Sequence, residues 1–172
     1  DHQLEMPEAP EPDSLRSEQD WGKMIAEKLP EKLRDVMTKD RPIEIRPVNP
    51  MNPFKPEKRP PHRQNWFRAA GPLPDDPVLH RCLLTYASDF TFLGTSLNPH
   101  GRTFMSKGMQ VASLDHAIWF HRDFRMDDWL LYDKDSPSAS GARGFNRGNF
   151  FTRDGVLVAS TTQEALIRER LG

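Results

Sequence analysis

The apolar positions change period along the chain. From Ser14 to about Lys39, Trp21, Ile25 and Leu29 recur every four residues and lead into Leu33 and Val36, a helical spacing that Pro30 should break or kink. HRQNWFRA then alternates as a strand. Next, Leu79, Leu83, Tyr86, Phe90, Leu93 and Leu97 fall on one stripe at spacings of four and three, which predicts one long helix. Asp75 or Asp76 would cap its start with Pro77 in the first turn, and Asn98-Pro99 would end it. At about 1.5 Å per residue it would span roughly 30 Å. Beyond it the period is two. GMQVASLDHAIWFHR alternates over its whole length, with Leu114, His116, Ile118 and Phe120 on one face, and DDWLLYDK reads as a shorter strand. RGFNRGNFF turns through RDG, with Asp154-Gly155 as the hairpin signal, and returns as VLVASTTQEALIR. One long helix followed by antiparallel strands predicts an α+β fold in which the sheet wraps the helix.

Proline divides the chain, because ten of the sixteen prolines precede Pro61. Residues 1 to 13 are acidic and proline-bearing, and are expected to be extended and mobile. DRPIEIRPVNPMNPFKPEKRPP permits edge-strand or polyproline geometry but no central strand, and reads as a connector with room for one short strand at Ile43 to Val48. The expected organisation is a proline-rich linker with a short helix over residues 1–60 and a folded domain over 61–172. A start in linker-like sequence without methionine gives the further expectation that a segment precedes it.

Charge and special residues remove several function classes. A formal charge of −1 supplies no basic field for nucleic acid or an anionic membrane surface. The single cysteine, Cys82, excludes an internal disulfide and a CxxC zinc site, and reads as a buried apolar residue in a reducing compartment. No apolar run approaches the roughly 18 residues of a membrane span, and the acidic start does not resemble a signal peptide. Metal spacing is poor: His80 and Cys82 form a lone HxC, while His116 and His121, five apart, would face opposite sides of a strand. Neither metal nor cofactor is expected.

Three polar residues then stand out. Asp89 sits in LLTYASDFTFLG, where a carboxylate on an apolar face costs several kcal/mol unless paired or used. It either faces solvent from the helix flank or has a task. Gln163 is the one large polar residue in the alternating set Leu157, Ala159, Thr161, Gln163, Ala165, Ile167. Ser113 lies in VASLDH, and strict alternation puts it opposite the Leu114 face unless a bulge or a second packing layer turns it inward. Together a carboxylate, a hydroxyl and an amide suit the holding and deprotonation of a water. No stronger nucleophile is available, since GxSxG is absent and Cys82 has no identifiable histidine partner.

The strings YASDFTFL, QVASLDHAIWFHRDF, SASGARGFNRG and DGVLVASTTQEALIR resemble the C-terminal half of the acyl-CoA thioesterase II family, a double-hotdog enzyme of bacteria and peroxisomes. The resemblance covers about His62 to Arg168. It implies a hotdog fold over 61–172, an absent N-terminal hotdog half, and fatty acyl-CoA as substrate. It also carries the family's catalytic Asp to Asp89, its Thr or Ser to Ser113 and its Gln to Gln163, which together hold the attacking water. No cofactor follows. The implied partners are the N-terminal half of the same polypeptide and further copies in a homo-oligomer. The implied location is cytoplasmic, or peroxisomal in a eukaryote. His116 reads either as a satisfied core histidine or as a hydrogen-bond partner of the site. Arg143 and Arg147 read either as contacts for coenzyme A phosphates or as a solvated strand face. Two rival readings remain: a non-catalytic coenzyme A binding or scaffold half, and a hotdog enoyl-CoA hydratase, which would need a histidine paired with Asp89.

Overall fold

The computed structural model describes residues 1–26, 34 and 41–170. Seven strands among them form one sheet: β1 Ile43–Pro47, β2 His62–Ala69, β3 Met109–Ser113, β4 Ala117–Phe120, β5 Leu130–Ser140, β6 Arg143–Thr152 and β7 Leu157–Glu169. The order is β1-β2-β5-β6-β7-β3, with β4 also pairing β7, and every pairing is antiparallel. Helices α1 Glu18–Ile25, α2 Pro77–Ser88 and α3 Gly94–Leu97 complete the α+β fold. One sheet face carries Phe67, Tyr132, Phe150 and Ala159, which pack on Leu84, Ala87 and Phe92 to make the main core. Tyr132 and Phe150 stack with ring centroids 3.8 Å apart.

The helix from Pro77 is capped by Asp76, as expected, but it is not continuous. It stops at Ser88, Asp89 is its C-cap, and Thr91 takes a left-handed backbone at φ 62° before α3 begins. The expected stripe is therefore out of phase with the core. His80, Leu84, Ala87 and Ser88 are the buried face of α2, while Tyr86 is 57% exposed. Counting one stripe across a break joins two helices that need not face the same way. The buried Lys134 Nζ holds the break, donating to Thr91 Oγ1 at 2.5 Å and Asn65 Oδ1 at 2.6 Å.

The long alternating segment is also divided. Ser113 pairs with Ala165 and Ala117 with Thr162, so β3–β4 advances four residues while β7 advances three. The one extra residue near Leu114 to His116 is a bulge, and it reverses the parity of inward positions. Ser113 thereby faces with Ala165, and Ile118 with Thr161, whereas Leu114 is 53% exposed. DDWLLYDK is longer than expected, because β5 continues through SPSAS with Pro137 inside a register shift between Asp135 and Ser138. A tight turn with Gly141 and Ala142 both at positive φ then enters β6.

The opening segment is extended but docked, not mobile as expected. Met6, Ala9 and Leu15 cover Trp66, Trp129, Leu131 and Phe151 on the outer sheet face, and the Trp66 indole donates to Pro10 O at 2.9 Å. Gln3 bonds Gly155 O at 2.7 Å, and Arg153 pairs with Glu11 and Asp13. A large apolar outer face demands such a cover. Strand β1 pairs with β2 at the sheet edge, so the sheet itself begins before residue 61. Helix α1 starts with a capping box of Ser17 and Asp20. Its expected continuation through Leu29, Pro30, Leu33 and Val36 lies outside the described residues. Cys82 is exposed, contrary to its expected burial.

Candidate active site

The end of α2, the end of β3 and the middle of β7 meet on the inner face of the sheet. Ser113 Oγ donates to Asp89 Oδ1 at 3.3 Å, and Gln163 Nε2 donates to the same oxygen. The three residues singled out from the sequence are thus brought together, with Asp89 and Ser113 exposed and Gln163 fully buried. The helix break positions Asp89 as the last cap of α2, and the bulge turns Ser113 towards it.

Residues that pattern alone did not assign surround this trio. His116, in the bulge, accepts from Gln163 Nε2 at Nδ1, 3.2 Å away, and its Nε2 lies 2.7 Å from Ser88 Oγ. Burial lowers the His116 pKa from its ordinary 6.5, against the opposing pull of Asp89 and Asp115. Ser88 Oγ in turn donates to Thr85 O at 2.9 Å. Tyr132 Oη bonds Ser88 O at 3.0 Å and Thr161 Oγ1 at 2.8 Å, and burial pushes its phenol well above 10. Asn146 is the register partner of Gln163, and both side-chain carbonyl oxygens, Asn146 Oδ1 and Gln163 Oε1, are buried without a partner among the described residues. Buried acceptors left in this way are the usual place for an ordered water or a ligand. Asn146 was visible in SASGARGFNRG, but only the β6–β7 register puts it beside Gln163.

Arg147 forms a two-pronged ion pair with Asp135 at 2.5 and 3.1 Å, and Arg143 lies 3.6 Å from Glu164, the pattern of a solvated strand face. Among the described residues no group of three or more His, Cys, Asp or Glu side chains is placed to hold a metal, and no helix is long and apolar enough to cross a membrane.

Residues 32–166 match the family model described as acyl-CoA thioesterase. The chain belongs to the acyl-CoA thioesterase family. Among this family's members, acyl-CoA thioesterase 2 of Haemophilus influenzae is 41% identical over 168 residues, covering 98% of this chain and 59% of its own length. Human acyl-coenzyme A thioesterase 8 is 38% identical over 177 residues, covering 97% and 54%. In structure, an acyl-CoA thioesterase II from Mycobacterium marinum superposes at a TM-score of 0.72 with 41% identity, over 99% of this chain and 58% of that one. A hot dog fold protein from Alicyclobacillus acidocaldarius, at 17% identity and a TM-score of 0.67 over 99% and 57%, shares the fold. The chain of this acyl-CoA thioesterase family member is thus hotdog in fold, and spans between 54 and 59% of the curated relatives' length.

Proposed function

We propose that this chain carries the water-activating site of an acyl-CoA thioesterase, which hydrolyses a fatty acyl-CoA to free fatty acid and coenzyme A. The observation that carries the reading is the convergence of Ser113 and Gln163 on one oxygen of Asp89. The carboxylate takes a proton from a water whose oxygen attacks the thioester carbonyl, while the hydroxyl and the amide hold that water in line. A carbon–oxygen bond forms, the tetrahedral intermediate collapses, and the carbon–sulfur bond breaks. The proton held by Asp89 passes to the departing thiolate, and the new fatty acid ionises.

His116 bears against the hydratase reading, because its two ring nitrogens are engaged by Gln163 and Ser88 rather than by Asp89. The partner in this reading is an N-terminal hotdog half of the same polypeptide. Its support is the share of the relatives' length that this chain spans, together with Tyr86, Leu114 and Trp119, each more than half exposed. Association into a homo-oligomer belongs to the same proposal.

The test is free-thiol release from palmitoyl-CoA by the polypeptide carrying both halves. Asp89→Asn should lower hydrolysis by about 10² or more with little change in substrate binding. Thiol release at the wild-type rate from Asp89→Asn would end the reading. So would an acyl group trapped on Ser113 and seen by mass spectrometry, because the water mechanism has no covalent intermediate.

A further inference from the structure

We propose that His116, itself oriented by Ser88, fixes which way round the Gln163 amide sits, and that the hydrolytic site is assembled only while this imidazole is uncharged. The proposal rests on the reading of Asp89, Ser113 and Gln163 given above and makes His116 a positioning residue for it.

A primary amide has two ends of similar shape and opposite hydrogen-bonding character, so something must choose between them. The Asp89 carboxylate chooses in part, since it accepts only and therefore takes the Nε2 end. His116 Nδ1 lies 3.2 Å from the same nitrogen and must also accept. Its own proton is then on Nε2, pointing at Ser88 Oγ 2.7 Å away. Ser88 can accept it because its hydroxyl proton is already given to Thr85 O. From Thr85 O through Ser88, His116 and Gln163 to Asp89, every bond has one direction, and one imidazole tautomer satisfies all of them. The consequence is at the other end of the amide. Gln163 Oε1 is turned away, buried and unpartnered among the described residues, beside the equally unpartnered Asn146 Oδ1. The Nε2 end is thereby committed to Asp89, and the carboxylate keeps that donor only while the amide is held this way round.

Protonation of His116 places an N–H at Nδ1 against the N–H of Gln163. Two donors then face each other, and the amide can relieve the conflict only by turning Oε1 towards the Asp89 carboxylate, which repels it. The charged groups facing His116 are Asp89 at the end of α2 and Asp115 in its own bulge, both of which favour the charged ring, while burial opposes it more strongly. Phe92 packs its ring edge to face against the imidazole at 5.7 Å, and the Tyr132 phenol behind it stays protonated.

The experiment measures kcat and KM for palmitoyl-CoA against pH in the polypeptide carrying both halves, with ¹⁵N NMR of the His116 ring. The wild type should lose kcat on the acid side with a midpoint below 6.5, and the ring should be the Nε2–H tautomer, titrating at that midpoint. His116→Ala should lower kcat about tenfold with KM little changed. His116→Asn, whose Oδ1 takes the place of Nδ1 without titrating, should recover part of that loss and show no fall at the wild-type midpoint. An unmoved acid limb in His116→Asn, or an Nδ1–H tautomer, overturns the proposal. If His116→Asn does not fold, the tautomer and its titration in the wild type decide alone. Failure of the underlying reading looks different, because Asp89→Asn would then stay active whatever the His116 ring does.

Discussion

Lys134 is the residue least compatible with its surroundings. It is wholly buried, its Nζ sits 4.5 Å from the Tyr132 ring centroid, and its hydrogen-bond partners are the neutral Asn65 and Thr91. Burial, with the nearby Arg63 charge second, pushes its pKa well below the ordinary 10.5. Between that depressed value and 10.5 the unfolded chain binds more protons than the folded one, so stability rises with pH across the window. Lys134→Met removes the donor to the buried Asn65 and to Thr91, so it should lower stability at pH 7 by about 1 to 3 kcal/mol and flatten the rise towards pH 10, as read by urea unfolding at both pH values. An unchanged slope would mean that Lys134 is charged in the folded state. At this scale Asp89 and Gln163 were legible, because each is an isolated polar residue in an apolar pattern. His116 and Asn146 were not, since their meaning lies in which neighbour each meets across the sheet.

At the scale of elements, packing between α3 and the sheet depends on a missing side chain. A Cβ built at Gly144 in β6 would lie 2.5 Å from the Ser96 Cβ of α3. Gly144→Ala should therefore cost about 1 to 3 kcal/mol by overpacking, measured as a lowered urea midpoint at constant m-value. A neutral result would show that α3 is free to shift outward. Element type was largely readable, and the strands at Ile43, at His62 and on both sides of the Asp154-Gly155 turn lie where alternation and turn residues put them. The interruptions were not readable. Helical period continues across the turn from Asp89 to Leu93, whose apolar residues keep near-helical spacing, and strand period continues across Leu114 to His116, because one extra residue leaves local spacing almost untouched.

The whole molecule has a second apolar surface, on the outer face of the sheet, and the first sixteen residues cover it. Composition pointed the other way, since an acidic proline-bearing segment has little apolar area with which to offset the entropy of ordering. What orders it is the face it meets: Trp66, Trp129, Leu131 and Phe151, with backbone and ion-pair anchors at Gly155, Leu157 and Arg153. Deleting residues 1–13 should lower the unfolding midpoint, shift tryptophan emission to the red and increase binding of an apolar dye. An unchanged midpoint and spectrum would mean that the segment lies on the sheet without stabilising it.

Periodicity by itself determined that this chain is an α+β protein with a capped helix and antiparallel strands, because burial of one face imposes its period on local sequence. Four motifs added the family resemblance. The tertiary structure alone decided where those periods stop. A bond from a buried lysine stabilises the left-handed turn after Asp89, and the pairing of β3 and β4 with the same strand forces the bulge that turns Ser113 inward. Both are interactions between residues distant in sequence, and no local spacing can carry them.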